Sequence, residues 1–277
     1  MRRLVVEEPV SRAAVAGRRV GLFSLPVLAA GVVLLRLGLV DLGAGLAVIG
    51  AAALLAATAA ALAVAAFVQI WREGRRGLGE AIHALLIAAV VLAYPGFLAV
   101  RLLLMPYYAD LSTDTTRPPA FSRTTAAVDA RGGYVPGAAM PAGGGTWPGV
   151  ALPFPDKAVL RQLQRRQHPD FAPRSSDLAA DVVFARVQQM AAAEGWRIID
   201  SAPPGGRFGT GHLDALLYTG VLKLPVDVTV RLRIHADGTT IDVRSVPRYP
   251  LFDVGTGPQP IERFLERVDP EEGVARG

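Results

Sequence analysis

Four arginines near the C-terminal end carry the strongest chemical signal in this chain. Arg231, Arg233, Arg244 and Arg248 lie on two short stretches either side of Asp237-Gly238. Folded back on each other, these stretches would gather four guanidiniums near one end of an outward face. Such a cluster suits an anionic headgroup, another anionic ligand or an acidic protein partner. A plainer reading is a solvated sheet face with Arg231 or Arg233 paired to Asp242 across strands. For the run from Arg244-Ser245 through Arg248 to Asp253 and Gly255, the preferred expectation is a staple. In it Arg244, Asp253 and the backbone near Gly255 join a strand to the terminal helix.

Catalysis finds less support. Ser245 as a nucleophile would need a nearby base. His235 lies at the other end of the same hairpin, and His212 has no motif around it. Spacing nominates no pair of catalytic carboxylates, so the expectation is a protein that is not an enzyme. The chain has no cysteine, which removes thiolate nucleophiles, disulfides and cysteine-ligated metals. His83, His168, His212 and His235 are too scattered for a ligand pair. The glycine runs at 132–137 and 143–145 lack the Lys-Ser/Thr of a phosphate-binding loop. No metal and no cofactor are expected, and His168 reads as a packed or turn residue.

The elements that would position these residues follow from charge and hydropathy. The 277 residues carry a formal net charge of +5 and are 51% hydrophobic but only 19% charged; mean hydropathy is +0.34. Residues 1–104 hold ten Lys/Arg against five Asp/Glu, whereas residues 105–277 hold nineteen of each. The basic excess therefore sits in the apolar third, and nucleic acid is not expected as a partner. Leu42–Trp71 and Ala81–Val100 are uncharged, and Val20–Val40 is broken only by Arg36. A bilayer core needs about 20 helical residues to cross it, so three spans are expected, with Arg36 snorkelling beside Asp41 and Pro95 kinking the third helix. The first apolar run starts only at residue 20 and lacks a small-residue cleavage site before Asp41, so it reads as retained.

Basic residues alternate between the connections. Arg2, Arg3, Arg12, Arg18 and Arg19 precede the first span, the connection at 41–42 has none, and the next carries Arg72, Arg75 and Arg76. The rule that short basic loops stay in the cytoplasm puts residues 1–19 there. The remainder then lies across a bacterial inner membrane, in the periplasm. Intramembrane carboxylates are lacking, which argues against transport. Small residues over Gly43–Ala66 permit close helix packing, with each other or with membrane-protein partners.

Residues 105–156 are rich in Pro, Gly, Ala and Thr without a sustained period and read as a mostly irregular linker, free or laid against the domain. Residues 157–277 read as a small α+β domain. A short basic helix over 157–167 is followed by a helix with Ser176 as cap and Gly195 as its stop. Trp196–Asp200 reads as a strand, Pro203–Gly206 as a turn, and Arg207–Leu213 as the return. Val228, Val230, Leu232 and Ile234 alternate with Thr229, Arg231 and Arg233, and Asp237-Gly238 turns the chain into Thr239–Val246. Ile261, Phe264, Leu265 and Val268 follow at helical spacing. The expected fold class is α+β: three N-terminal transmembrane helices, then an antiparallel sheet with packed helices.

Several of these residues carry a resemblance. Asp110-Leu111-Ser112-Thr113-Asp114 with Pro118-Pro119-Ala120-Phe121 resembles the opening signature of the bacterial family named domain of unknown function 1499. His168-Pro169-Asp170-Phe171, Gly195-Trp196-Arg197-Ile198, Asp242-Val243-Arg244-Ser245 with Arg248, and then Asp253, Gly255 and Ile261 resemble its later elements. Pro247, Pro250, Gly257 and Pro260 depart from its pattern. The resemblance covers residues 105–268 and implies placement and fold, not chemistry. Three functions are expected from the whole: a non-catalytic envelope protein whose outer domain binds protein or lipid, an accessory subunit of a larger energetic or photosynthetic membrane complex, or a carrier of apolar ligands.

Overall fold

A computed structural model describes residues 9–104, 110–137, 157–169, 171–205, 209–220, 222–236, 238–249 and 259–268. The chain divides into two compact units, Met1–Met105 and Pro106–Gly277.

The first unit is a bundle of three helices, α1 (Arg12–Arg36), α2 (Leu42–Glu73) and α3 (Leu78–Leu104). The second and third expected spans lie within α2 and α3, whereas the first, expected at Val20–Val40, overlaps a helix that starts earlier and ends at Arg36; all three helices are long and apolar enough to cross a membrane. Ser11 caps α1 through the Ala14 amide, and Asp41 caps α2 through the Ala44 amide at 2.7 Å. Gly74, in the left-handed conformation, ends α2. The segment before α1 bridges Arg76, with Ser11 N donating to Arg76 O and Arg76 N to Pro9 O. The starts of α1 and α3 therefore lie at one end of the bundle, and α2 runs back between them. The α3 helix continues through Pro95.

Small residues make the packing. Ala52, Ala56, Ala59, Ala63 and Ala66 of α2 are buried, as are Ala81, Ala84 and Ala88 of α3. A Cβ at Gly17 of α1 would sit 3.2 Å from Leu62 Cβ, 3.3 Å from Ala59 O and 3.4 Å from Ala84 Cβ. Three backbones thus meet where a larger side chain would hold them apart, which is how helices gain contact area in lipid.

The second unit is an antiparallel sheet in the order β1-β6-β5-β4-β3, with β2 also paired to β6. The strands are β1 (Leu111–Ser112), β2 (Arg174–Ser176), β3 (Arg197–Gly205), β4 (Thr210–Tyr218), β5 (Pro225–His235) and β6 (Gly238–Pro247). The helices are α4 (Thr125–Ala130), α5 (Lys157–Gln167), α6 (Ala180–Ala193) and α7 (Gln259–Val268). One sheet face carries Leu213, Val226, Val228, Val230, Leu232, Ile241 and Val243 against Val183 and Val187 of α6 and Ile261, Phe264 and Leu265 of α7. Trp196 stacks on Phe264 with ring centroids 4.4 Å apart, and Gly195 at φ +73° stops α6 as expected.

The expected α+β architecture is found, with four corrections. Residues 110–137, expected as linker, are built into the sheet domain: β1 pairs with β6, and Thr113 N donates to Val243 O at 2.9 Å. The remainder of that expected linker lies outside the described residues. Ser176 is not the cap of α6 but the end of β2, paired to Thr239; the helix starts at Ala180 without a side-chain cap. Pro203-Pro204 do not turn the chain but extend β3, an edge strand where a missing amide costs no ladder bond. In the hairpin His235 faces Gly238, so Gly238 is a strand residue rather than the turn. It is glycine for space, because a Cβ there would lie 2.2 Å from Ser176 O. The outer edge of β6 is thereby closed by two short strands with Thr113 between them.

An arginine–aspartate clasp as the candidate functional site

Strand register decides which side chains share the other sheet face. Asp214 of β4, Thr229 of β5 and Arg244 of β6 lie in one row across the strands; His212, Arg231 and Asp242 lie in the next. Asp227 sits beside Leu216 and Val246 in a third. This is the face expected to be solvated. It is not: Asp214, Asp227, Thr229 and Asp242 have no exposed surface. Residues 110–137 lie over it as a strap, placed there by β1 pairing with β6 and by α4, capped by Thr124.

Arg131 of the strap is the centre of the arrangement, with a side chain wholly buried. Its Nη2 donates to Asp214 Oδ2 at 2.5 Å, its Nε to Asp227 Oδ1 at 3.1 Å and its Nη1 to Ser122 O at 3.0 Å. Arg248 donates to Asp227 Oδ2 at 2.7 Å and to Arg131 O at 3.0 Å, with Tyr134 stacked 4.5 Å from its guanidinium carbon. Arg244 makes a two-pronged pair with Asp110 at 2.8 and 2.7 Å and donates to Pro119 O. Arg131 and Arg244 each approach the Phe121 ring, at 5.6 and 5.4 Å. Arg231 donates to Asp242 at 2.8 Å and to Asp114 at 3.0 Å, and Arg233 reaches Asp242 at 3.0 Å. Ser122 ties the strap to β3 and β4: its N donates to Asp214 at 2.7 Å and its hydroxyl to Asp200, which also faces His212 at 3.5 Å.

Electrostatics follow from these contacts. Burial alone would raise the Asp114 carboxyl, but the amides of Arg117 and Thr116 and the charge on Arg231 outweigh it, and the group lies below the usual carboxylate range. The Ser122 hydroxyl, against the effect of burial and with help from His212, lowers Asp200. Burial, with Asp227 nearby, raises the Tyr134 hydroxyl despite Arg248.

The four arginines singled out from sequence are thus brought onto one face, and each already holds a carboxylate partner. Arg231 and Arg233 pair with Asp242 as the plainer reading expects, although its solvated face is corrected to a covered one. The staple partners Asp253 and Gly255 lie outside the described residues; Arg244 holds Asp110 in the strap. Ser245 is in the same row as Val228 and Ala215 on the helix-side face, whereas His212 is on the strap side, so the two are on opposite sides of the sheet. Sequence reasoning missed Arg131, Ser122, Asp200, Asp214 and Asp227. The available signal was an Asp at 214 and 227 in strands whose neighbours alternate between apolar and polar.

The arrangement is a neutral lattice of five arginines with Asp110, Asp114, Asp214, Asp227 and Asp242. What it does chemically is bind a strap to a sheet. No curated protein and no solved structure matches the chain. A family model, described as Protein of unknown function (DUF1499), matches residues 110–268. The matched region opens on Asp110 of the clasp and closes at the end of α7, taking in every clasp residue. Matched over more than half its length, this chain belongs to the DUF1499 family of proteins of unknown function.

Proposed function

We propose that the chain is a non-catalytic protein of the bacterial inner membrane, with its N-terminus in the cytoplasm and its sheet domain presented to the periplasm as a binding module for protein or lipid. The observation that carries this reading is the charge asymmetry of the bundle. Arg12, Arg18, Arg19, Arg72, Arg75 and Arg76 gather toward the end where α1 and α3 begin, and the connection between α1 and α2 has no basic residue after Arg36. Short basic segments are retained in the cytoplasm, and an odd number of spans then carries the sheet domain across. The clasp's arginines and aspartates pair with one another and hold the strap, which leaves the outer surface of the domain, rather than the clasp, to meet a partner. The helix-side core is occupied by the domain's own side chains, which favours this reading over an apolar-ligand carrier. Membership of a larger membrane complex is the second reading. In it the outward apolar side chains of the bundle, among them Leu54, Val64, Leu86 and Val90, would meet neighbouring helices instead of acyl chains.

Reporter fusions test the orientation. Alkaline phosphatase fused after Gly277 is expected to be active and a fluorescent cytoplasmic reporter there dark, with the reverse after Arg76. An active cytoplasmic reporter after Gly277 overturns the reading.

A further inference from the structure

The three helices do not present equal apolar lengths to a bilayer. The uncharged part of α2, Leu42–Trp71, rises about 45 Å, whereas that of α1, Val20–Leu35, rises only about 24 Å. The hydrocarbon core is roughly 30 Å thick. The shortfall in α1 is caused by Arg18 and Arg19, and the packing sets their depth. Ser11 at the head of α1 bonds Gln69 of α2 at 2.9 Å. Gly17 lies against Ala59 and Leu62 of α2 and Ala84 of α3. Seven residues of α2 separate the Gln69 and Leu62 levels, so Arg18 and Arg19 sit about 10 Å inward from the polar rim. Both are exposed, and among the described residues neither makes a hydrogen bond or ion pair.

The apolar part of α2 exceeds the hydrocarbon thickness by about 15 Å, so this level lies at the edge of the core, where an exposed guanidinium meets lipid phosphates. The surface around the pair selects among anions. One helical turn further in, at i+4 from each arginine, are Leu22 and Phe23, 46% and 61% exposed. Trp71, 91% exposed, stands at the rim where indole rings settle at a membrane interface. Along α1, from the arginines inward, the order is cationic and then apolar. A phospholipid has the matching order, with phosphate outside its acyl chains.

We propose that Arg18 and Arg19 seat the phosphate of an anionic phospholipid whose acyl chains lie along Leu22 and Phe23. The proposal rests on the bundle crossing a bilayer, but not on which end faces the cytoplasm. Two adjacent guanidiniums offer a phosphodiester several charge-assisted hydrogen bonds. A zwitterionic lipid brings its own cation to the same place and gains less.

The full chain in nanodiscs of mixed phosphatidylglycerol and phosphatidylcholine, released into mild detergent for native mass spectrometry, reads this directly. The wild type is expected to retain phosphatidylglycerol over phosphatidylcholine. The R18Q/R19Q variant is expected to lose that preference by about tenfold or more, since each juxtamembrane cation contributes separately. R72Q/R75Q, which removes as much charge from the rim, is expected to keep it. Equal retention of both lipids by the wild type, or an equal loss in R72Q/R75Q, overturns the seat. Alkaline carbonate washing of cell membranes separates the two levels of failure. A chain that washes out defeats the membrane reading itself, and one that stays without lipid preference defeats only the seat.

Discussion

The two faces of the sheet solve the same burial problem with opposite chemistry. On the helix side, Val226, Val228, Val230 and Leu232 of β5 meet α6 and α7 through apolar contact alone. On the strap side, Asp227 and Arg231 of the same strand meet residues 110–137 through charge-assisted hydrogen bonds to Arg131 and Asp114, and Arg233 lies 3.8 Å from Asp114. Apolar contact tolerates small errors, because its strength scales with area. Paired buried charges do not, because removing one partner leaves the other desolvated. The lesson is about what each face resists: the helix side supplies most of the driving force, and the strap side sets which strap conformation is allowed.

That contrast can be broken most severely at Asp227, the carboxylate that Arg131 and Arg248 share. Asp227→Ala is expected to destabilise the sheet domain by about 3–5 kcal/mol, since it takes the carboxylate from the buried Nε of Arg131 and from Arg248 together. Denaturant unfolding of the detergent-solubilised chain, followed by tryptophan fluorescence with its stacked Trp196, measures this. A loss under 1 kcal/mol would mean the face is wet. A comparably small trim on the helix side, Ile241→Val, is expected to cost only about 0.5–1.5 kcal/mol. Its cost matching that of Asp227→Ala would erase the distinction. At the margin of the clasp, Arg233 is about one-third exposed. Arg233→Ala is expected to cost about 0.2–1 kcal/mol, an effect that shrinks further in high salt.

The smallest effect per group is on the pH dependence. Asp114 and Asp200 are depressed in the folded state, so their contribution is complete above the ordinary carboxylate range, near pH 4. It is lost as pH falls through the lower folded values. Ser122→Ala removes the main cause of the Asp200 shift and is expected to flatten the acid limb of a stability–pH curve while leaving the neutral region nearly parallel. An unchanged acid limb would mean that the Ser122–Asp200 contact does not help to hold the strap.

Much of the architecture is legible in the residues, for reasons that vary by region. The spans follow from charge-free runs, because lipid admits no alternative to an apolar helix. The hairpin follows from alternation, with Asp242 opposite Arg231. What alternation conceals is whether its polar side meets water or protein. The strap has no period because it contributes point contacts, a two-residue strand, an Asx turn at Asp114 and one buried arginine, rather than a repeating face. Arg131 lies in a glycine-rich stretch where composition argues for a tether. Its destination, two aspartates 83 and 96 residues away, leaves no local trace. Gly238 misleads in the same way, since an Asp-Gly pair signals a turn while this glycine makes room for β2.

Residues 110–131 are part of the sheet domain's fold rather than a tether leading to it. Hydrogen–deuterium exchange on the full chain in detergent tests it most directly. Peptides spanning Leu111–Thr113 and Ala127–Arg131 are expected to exchange as slowly as those of β5 and to speed up together with them in Asp227→Ala. Complete exchange of the 110–131 peptides within seconds, while β5 stays protected, would contradict the account.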